Sequence, residues 1–357
     1  MTNSTLNTVR GGQKHRNSSI ELFRILATFL VIIVHLNGWM AGGLVDWNDG
    51  TIPIEHKVFQ LVIQSLCVVC VNCFLIISGW FGLKLKFASV WKMWTLLVSI
   101  YVPFYLVSCI LGSVNFSLFT LITKVLAFPC ESYFVQNYMM LLFISPVLNS
   151  FIESHRNYLA IYALCLFLIE VVMESIFNNR CLHIEDGYSL FHFVTIYMMA
   201  RAAYLYRNQI QKVRKRLWVF GYFLCAVIVC LLHLTSYRHN WAYSNPVVII
   251  ESFMLFFPFL YYNFHNRIIN WIAGGTFVVY IIQVTNPVCG WLFKYNQYAL
   301  LHFDYNVYLP LMLLFCIFFF AVCFLYNVVM SYIMIPITQP ISNLLDRHIA
   351  ETVKQYF

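Results

Sequence analysis

Charged residues are scarce in this chain: they make up 10% of its 357 residues, whereas an ordinary soluble domain carries about a quarter. Only 14 side chains are acidic, and the 22 lysines and arginines cluster in short segments between apolar stretches. The scarcity excludes a soluble globular protein, and the clustering excludes a basic face that binds nucleic acid. The chain is instead 61% hydrophobic, with a mean hydropathy of +0.74. The sequence therefore predicts a protein whose main solvent is the lipid bilayer.

Paired cysteine spacing is also absent, although the chain has 12 cysteines. They are spread along apolar stretches, where we expect reduced thiols that pack as small hydrophobic side chains. Cys67, Cys70 and Cys73 share one helical face, but no histidine or carboxylate accompanies them, so we predict packing and no metal site. Only Cys130 and Cys181 fall in segments that could face an oxidising exterior, and the sequence leaves a disulfide between them open.

Long apolar runs dominate the rest of the sequence. A helix needs about 20 largely apolar residues to cross a bilayer. Ten segments meet this requirement: 21–40, 58–80, 90–112, 133–152, 157–177, 188–206, 217–236, 246–263, 268–293 and 306–335. The segment 115–128 is apolar but short, contains Lys124 and ends at Pro129, so we predict a half-span or re-entrant hairpin there. The expected fold class is an all-α polytopic bundle of about ten transmembrane spans.

The basic segments predict the orientation of these spans. A full crossing at 115–128 would place the basic loop 207–216 outside, against the rule that short basic loops stay in the cytoplasm. With a half-span there, both termini become cytoplasmic, together with Lys84, Lys86, Arg156, the loop 207–216 and Arg267. We therefore expect a cytoplasmic segment 1–20, a membrane domain 21–335 and a cytoplasmic tail 336–357, with no separate soluble catalytic domain.

Three ionisable residues line up on the first predicted span. Eleven positions separate Arg24 from His35, a rotation of about 1100° that brings them to within about 20° of the same face. Glu21 lies within about 40° of that face. His35 stands about 16 Å further along the helix axis than Arg24. Arg24 is therefore expected near the cytoplasmic headgroups, and His35 in the outer half of the bilayer.

This alignment suits chemistry on a cytoplasmic donor that carries phosphate. A guanidinium at the inner mouth presents a fork of donors to phosphate oxygens. A histidine deeper in the bundle would be neutral, because burial disfavours its charged form, and it could take a proton from a hydroxyl nucleophile. The alternative is structural: Arg24 pairs with Glu21 at the interface, and His35 hydrogen-bonds to a neighbouring helix.

Further polar side chains fall inside predicted spans, where they are costly and suggest function. They are Glu170, Glu174, His192, Arg201, Glu251 and Gln283. Glu170 and Glu174 share a helix face and could hold a proton or orient His35, although Glu174 could equally mark the outer interface. Arg201 is either a second phosphate ligand or the first charge of a basic topology signal.

The first span resembles the acyltransferase-3 family of integral-membrane acyltransferases, whose hallmark is an arginine and a histidine separated by ten residues in the first helix. Glu21 also occupies the usual acidic position of that family. Three further segments are similar to family segments and follow in the expected order: VNCFLIISGWFGLKLKF at 71–87, SYFVQNYMMLLFISPVLN at 132–149 and GGTFVVYIIQVTNPV at 274–288. The matches extend from about residue 19 to residue 290. Two features depart from the family pattern: Gln283 stands where a second histidine is common, and Lys84, Lys86 and Lys92 replace the usual arginines.

The resemblance implies transfer of an acyl group, usually acetyl, from cytoplasmic acetyl-CoA to a hydroxyl of a glycan at the outer side of the membrane, or of its lipid-linked precursor. It implies a multi-pass protein of the bacterial cell membrane, with other glycan-assembly proteins as further partners. The implied catalytic residues are His35, as a base or transient acyl acceptor, and Glu21. The implied acyl-CoA-binding residues are Arg24, Ser78, Gly79, Lys84, Lys86 and Arg201. The implied acceptor-binding residues are Tyr133, Asn137, Glu170 and Gln283.

Two other functions compete with this interpretation. A transporter or flippase for a lipid-linked sugar or small anion would use Arg24 and the buried glutamates as substrate and proton sites. The sequence shows no inverted pair of broken helices in its two halves, which weighs against a secondary transporter. A scaffold in a glycan-assembly complex would have no use for the aligned Arg24 and His35.

Overall fold

The computed structural model describes residues 16–356, apart from residues 45–46, 48, 51, 128–131, 177–184 and 236–238. Within that part of the chain all regular structure is helical. The α-helices are α1 Ser18–Asn37, α2 Ile54–Cys67, α3 Cys70–Phe81, α4 Phe87–Ile110, α5 Leu118–Thr120, α6 Tyr133–Ser154, α7 Leu159–Val171, α8 Leu190–Leu205, α9 Arg207–Ile210, α10 Lys215–Leu234, α11 Pro246–Phe256, α12 Arg267–Ala273, α13 Thr276–Val284, α14 Val288–His302 and α15 Tyr305–Tyr356. The ten cysteines in the described residues are free, and Cys130 and Cys181 lie outside them.

Eight helical segments of the described chain are long and apolar enough to cross a membrane. They are Ser18–Ala41, Ile54–Phe81, Phe87–Ile110, Tyr133–Ser154, Arg156–Glu174, Lys215–Leu234, Arg267–Val284 and Tyr305–Leu345. Two shorter apolar helices, Leu190–Leu205 and Pro246–Tyr261, occupy the places of the sixth and eighth predicted spans. The prediction of an all-α polytopic bundle is confirmed.

Side-chain caps set where several of these helices begin. Asn17 accepts a hydrogen bond from the Ser19 amide at 3.0 Å, and Asn245, followed by Pro246, accepts one from Val247 at 2.8 Å. Such oxygens satisfy amides that have no partner within the helix. Ser189 and Asn266 cap α8 and α12 in the same way.

Two element boundaries differ from the sequence expectation. The ninth predicted span, 268–293, ends at Val284, because Pro287 has no amide hydrogen to donate and disfavours a helical conformation at Asn286; a separate helix, α14, follows. The last helix continues through Pro336 and Pro340 to Tyr356, past the expected boundary at 335.

The described part of segment 115–128 is helical only over residues 118–127, about 15 Å of helix. That is half of a bilayer core of about 30 Å, as a half-span requires.

Helix α1 lies at the centre of the bundle, in contact with α2, α3, α12 and α13. Phe23, Ala27 and Ile32 lie on different sides of this helix, and all three are fully or almost fully buried. At one end of the bundle, contacts join segments that were predicted to be cytoplasmic or to form the cytoplasmic ends of spans: Ser18 with Phe264, Leu83 with Asn149, and Gln211 with Leu260. The bundle therefore gathers the predicted cytoplasmic segments at one end, and places Arg24 one to two turns from it.

Helices α3 and α8 pack closely against each other, and Gly79 permits this contact. A Cβ atom at Gly79 would lie 2.7 Å from both the Tyr197 carbonyl oxygen and the Ala200 Cβ. Real Cβ atoms do not come so near, so only glycine fits at this crossing. Small residues of this kind let membrane helices approach closely.

Replacing Gly79 with valine is expected to destabilise the protein by about 1–3 kcal/mol, the usual range for overpacking a closely packed contact. The check is the thermal unfolding midpoint of the detergent-solubilised protein. Gly290→Ala is the matched control, because a Cβ there meets nothing nearer than 3.6 Å. An unchanged midpoint for Gly79→Val would mean that α3 and α8 are not in this contact.

Candidate functional site

The inner half of α1 carries an ion pair. Arg24 Nη1 lies 2.7 Å from Glu21 Oε2, and the Arg24 side chain is partly exposed whereas Glu21 is buried. Arg24 therefore pairs with Glu21, as the structural alternative expects, but this contact uses only one nitrogen of the guanidinium. Arg24 also lines a cavity, described next, so its remaining donors are available to a ligand.

The inner cavity is a space of about 380 Å³ enclosed by α1, α3, α4, α6, α12 and α13. Arg16 and Arg24 supply its two cationic walls. Ser78 of α3 also lines it, with its hydroxyl 3.3 Å from that of Tyr138. Deeper walls are apolar or aromatic, and Val31 and Tyr280 are among them. The cavity therefore has a positive mouth and a narrow, weakly polar interior.

His35 and Gln283 lie one helical turn beyond those deeper walls. His35 follows Val31 by four residues on α1, and Gln283 follows Tyr280 by three on α13, so each shares a face with its cavity-lining neighbour. The two side chains interact with each other. Nδ1 of His35 and Nε2 of Gln283 are nevertheless buried with no hydrogen-bond partner among the described residues. Buried polar atoms are usually satisfied, so this pair has hydrogen-bonding capacity that a polar ligand atom could use.

The two unsatisfied atoms are complementary to a hydroxyl group. If the His35 Nε2–H group donates to the Gln283 carbonyl oxygen, Nδ1 is left as an acceptor and the Gln283 amide as a donor; this tautomer is an assignment from the contacts. An alcohol can donate to the first and accept from the second. The pair thus offers a binding place for one hydroxyl, next to a basic nitrogen.

A network of buried amides fixes the end of α1 that carries His35. The Asn37 side chain donates to the Gln60 carbonyl at 2.9 Å, and Gln60 returns a bond to the Asn37 carbonyl at 2.8 Å. Asn296 of α14 donates to the Leu36 carbonyl at 2.8 Å. These residues were missed in the sequence, although amides within apolar segments are costly enough to be a signal.

Of the residues predicted to bind the donor, Arg24 and Ser78 line the inner cavity, and the others do not. Ser78 lines the inner cavity, but Gly79 faces α8. Lys84 and Lys86 are exposed on the loop between α3 and α4. Arg201 lies beneath that loop, with Nη1 3.5 Å from the Trp80 carbonyl oxygen, and it is not among the residues that line the inner cavity.

A side-chain clamp holds this loop to the bundle. The Tyr197 hydroxyl donates to Asn149 Oδ1 at 2.6 Å and accepts from the Leu83 amide at 3.1 Å. The Asn149 side-chain amide donates to the Leu83 carbonyl at 2.7 Å. Asn149 is the last residue of the similar segment 132–149, so the clamp gives a structural role to the end of that segment.

Tyr133 and Asn137 lie at the opposite end of the inner cavity, where Tyr133 belongs to a group of aromatic rings and Asn137 is hydrogen-bonded to that group. The rings of Tyr133, Tyr188 and Tyr243, here called the tyrosine cluster, stack edge to face, with centroids 4.4 Å and 5.4 Å apart. Asn137 donates to the Tyr188 carbonyl at 3.1 Å. Beside Tyr133, the Ser132 hydroxyl lies 2.5 Å from that of Tyr280, which lines the inner cavity. The tyrosine cluster therefore stands just past the deep end of that cavity.

Glu170 pairs with a histidine other than His35. Its carboxylate lies 2.7 Å from Nδ1 of His192, and Nε2 of His192 lies 2.8 Å from Asn72 Oδ1. All three side chains are fully buried and join α7, α8 and α3. Glu251, by contrast, is buried with neither carboxylate oxygen partnered among the described residues.

Glu170→Ala is expected to lower stability by about 1–3 kcal/mol, because it leaves Nδ1 of the buried His192 without its hydrogen-bond partner. The check is the thermal midpoint in detergent beside the KM for acceptor. A variant that keeps its midpoint but binds acceptor poorly would instead support the predicted acceptor role of Glu170.

One group of described residues has donor atoms close enough to hold a metal ion. Ligand atoms of Glu174, Asp186 and His239 all lie within 4.8 Å of one another. They already bond among themselves: the Asp186 amide to Glu174 at 2.7 Å, and His239 to the Asp186 carboxylate at 2.6 Å. We interpret the group as a brace between three segments at the end of the bundle that carries the tyrosine cluster.

Comparison with known proteins identifies one similarity. The family model described as "Acyltransferase domain" matches residues 17–328, which include the residues of the site described above except Arg16. No curated protein and no solved structure matches the chain.

Proposed function

The chain belongs to the acyltransferase-3 family and is a membrane acyltransferase, and on that premise we propose that it transfers an acyl group, first of all acetyl, from cytoplasmic acyl-CoA to a hydroxyl of a cell-surface glycan or of its lipid-linked precursor. The observation that carries the proposal is the inner cavity, which begins at Arg24 and ends one turn short of His35 and Gln283. We place the protein in the cell membrane of a bacterium.

The donor would enter with its phosphates at the positive mouth. Arg24 and Arg16 line the cavity there, and Lys84 and Lys86 lie exposed on the loop between α3 and α4. Arginine forms paired hydrogen bonds to phosphate oxygens. The weakly polar interior suits the pantetheine arm, which would carry the thioester past Ser78 towards His35. Glu21 lies about 21 Å along α1 from His35, so its contribution passes through the position of Arg24.

The hydroxyl of the acceptor would then lie between His35 and Gln283. It gives its proton to the His35 ring while its oxygen attacks the thioester carbonyl carbon. The carbon–sulfur bond breaks, coenzyme A leaves as the thiolate, and the thiolate takes the proton from His35. The products are an ester and free coenzyme A thiol. The Gln283 amide would donate a hydrogen bond that stabilises the negative charge developing on oxygen during the attack. A route through a transient acyl-histidine would begin from the same neutral His35 nitrogen.

The saccharide of the acceptor would contact the tyrosine cluster, with Tyr133 and Asn137 as predicted ligands. Sugar rings pack on aromatic faces while hydroxyls find the polar rims. Tyr188 and Tyr243 are added to the predicted set because Tyr188 stacks on Tyr133 and Tyr243 stacks on Tyr188.

The test of this function is acyl transfer in membranes that contain the protein. Membranes are incubated with acetyl-CoA labelled in the acetyl group, and glycolipid and polysaccharide fractions are analysed for label and for the mass of one added acetyl group. We expect label in one of these fractions, and none with membranes that lack the protein. Transport of a lipid-linked sugar without any acyl transfer would favour the flippase alternative.

A further inference from the structure

A second cavity opens between α4, α14 and α15, and we call it the membrane groove. Its volume is about 580 Å³, and its walls are almost entirely apolar, including Phe104, Leu292 and Phe319. It lies along segments apolar enough to cross a bilayer. Whatever occupies it is therefore surrounded by hydrocarbon and aromatic side chains.

The groove is long enough to hold an extended chain. Its wall on α15 runs from Tyr308 to Tyr326, eighteen residues or about 27 Å of helix, which is close to the bilayer core thickness of about 30 Å. The residues between follow a helical stripe: Leu311, Met312, Phe315, Phe319, Val322 and Cys323. A long, thin space of this kind suits a flexible chain better than a compact headgroup.

Polar side chains along the groove are already engaged by the protein. The Tyr308 hydroxyl donates to Asn296 Oδ1 at 2.8 Å, and the Asn296 amide donates to the Leu36 carbonyl at 2.8 Å. The Tyr326 hydroxyl donates to the Ser99 carbonyl at 2.6 Å. An occupant of the groove therefore needs to form no hydrogen bonds at these positions, which favours an aliphatic chain.

The groove runs beside the candidate reaction centre. Leu36 and Ile282 line it, and they adjoin His35 and Gln283 in the chain, so the groove reaches the same depth on a neighbouring face of α1 and α13. The inner cavity approaches the same pair from the other side. Because the arginines lie on the inner cavity, we assign the donor there, and the groove remains for the acceptor.

A cation stands at the rim of the groove. Lys294 is exposed on α14 between Trp291 and Tyr295, both of which line the groove, and its ammonium lies 5.9 Å from the Tyr295 ring centre. A lysine beside an apolar groove is complementary to a lipid whose headgroup begins with phosphate.

We propose that the membrane groove binds the chain of a polyprenyl-phosphate-type lipid that carries the acceptor saccharide, with Lys294 at the phosphate. This rests on the proposed function, since it selects the lipid-linked precursor over the finished glycan as the acceptor. The saccharide would then lie where its hydroxyl meets His35.

The experiment uses photo-crosslinking of the full-length protein in detergent. The probe is a polyprenyl phosphate that carries a diazirine in its chain, and labelled peptides are identified by mass spectrometry. We expect the probe to label α14 and α15. Excess undecaprenyl phosphate should prevent this labelling, and undecaprenol should prevent it about tenfold less effectively. Lys294→Gln is expected to abolish that preference for phosphate.

Matched substitutions on α15 test the groove itself. Val322→Trp fills it and is expected to cut labelling about tenfold. Leu325→Trp is the control, because Leu325 is also lipid-exposed, 63% against 49% for Val322, but does not line the groove. Equal loss in both variants would overturn the proposal.

Competition of other lipids with the probe shows whether a different molecule occupies the groove. Separate measurements of acetyl-CoA binding and acyl transfer distinguish a failure of this proposal from a failure of the proposed function. Equal displacement by phosphatidylglycerol would show that the groove holds bulk lipid, and displacement by palmitoyl-CoA alone would show that it holds a donor chain; either result overturns the proposal. Acetyl-CoA binding is measured on the same samples and should be unchanged in Val322→Trp. Loss of the proposed function would appear as no acyl transfer in membranes, with probe labelling intact.

Discussion

Replacing His35 with alanine is expected to lower the rate of acyl transfer by about 10²–10⁴-fold, the range that a positioned general base supplies. The substitution removes the buried ring whose Nδ1 has no partner among the described residues, while the amide network at Asn37 and Gln60 still holds the end of α1. The measurement is label transfer from acetyl-CoA into glycolipid or polysaccharide, at saturating donor.

Three controls make the His35 result specific. The variant should elute as the wild type does in size-exclusion chromatography and bind acetyl-CoA equally well. His155→Ala, at an exposed histidine outside the inner cavity, should keep full activity. Added imidazole should restore part of the activity to His35→Ala if the ring acts as a base. Near-normal transfer by His35→Ala would show that the mechanism proposed here is wrong.

Replacing Arg24 with alanine is expected to raise the KM for acetyl-CoA by about 10–100-fold, since a hydrogen bond to a charged group contributes about 1.5–3 kcal/mol. The change in kcat should be smaller, because Arg24 lies about 16 Å along α1 from His35. Arg24→Lys should fall between the two, as lysine keeps the charge and loses the fork.

A truncated donor shows whether Arg24 acts on phosphate. Acetyl-pantetheine lacks the nucleotide and its phosphates, so Arg24→Ala and the wild type should use it equally. Arg207→Ala removes a cation that packs over Tyr204, outside the inner cavity, and should leave both donors unaffected. If Arg24→Ala impaired acetyl-pantetheine as strongly as acetyl-CoA, the phosphate role would be excluded.

The sequence predicts the parts of the site that depend on one helix. The 3.6-residue period places Arg24 and His35 on one face, and the structure puts Arg24 on the inner cavity and His35 one turn beyond it. Apolar length predicts the bundle for the same reason, because the bilayer thickness sets how long a span must be. Neither inference needs to know which helices are neighbours.

The contacts that the sequence does not predict are those between helices. Glu170 was expected to orient His35 or to bind acceptor, and its buried partner in the structure is His192. Gly79 adjoins Ser78 in the chain but faces another helix, since adjacent residues on a helix point about 100° apart. A helix period tells which residues share a face, but only packing decides what that face meets.

The His35–Gln283 pair also lies beside two spaces that share no lining residue in the part of the chain that the structure describes. The inner cavity and the membrane groove have separate walls, and those of the groove are almost entirely apolar. An ion entering the groove would lose its hydration with nothing to replace it, at a cost of many kcal/mol. A protein built in this way can pass a small neutral group between its two sides and still leave the membrane potential intact.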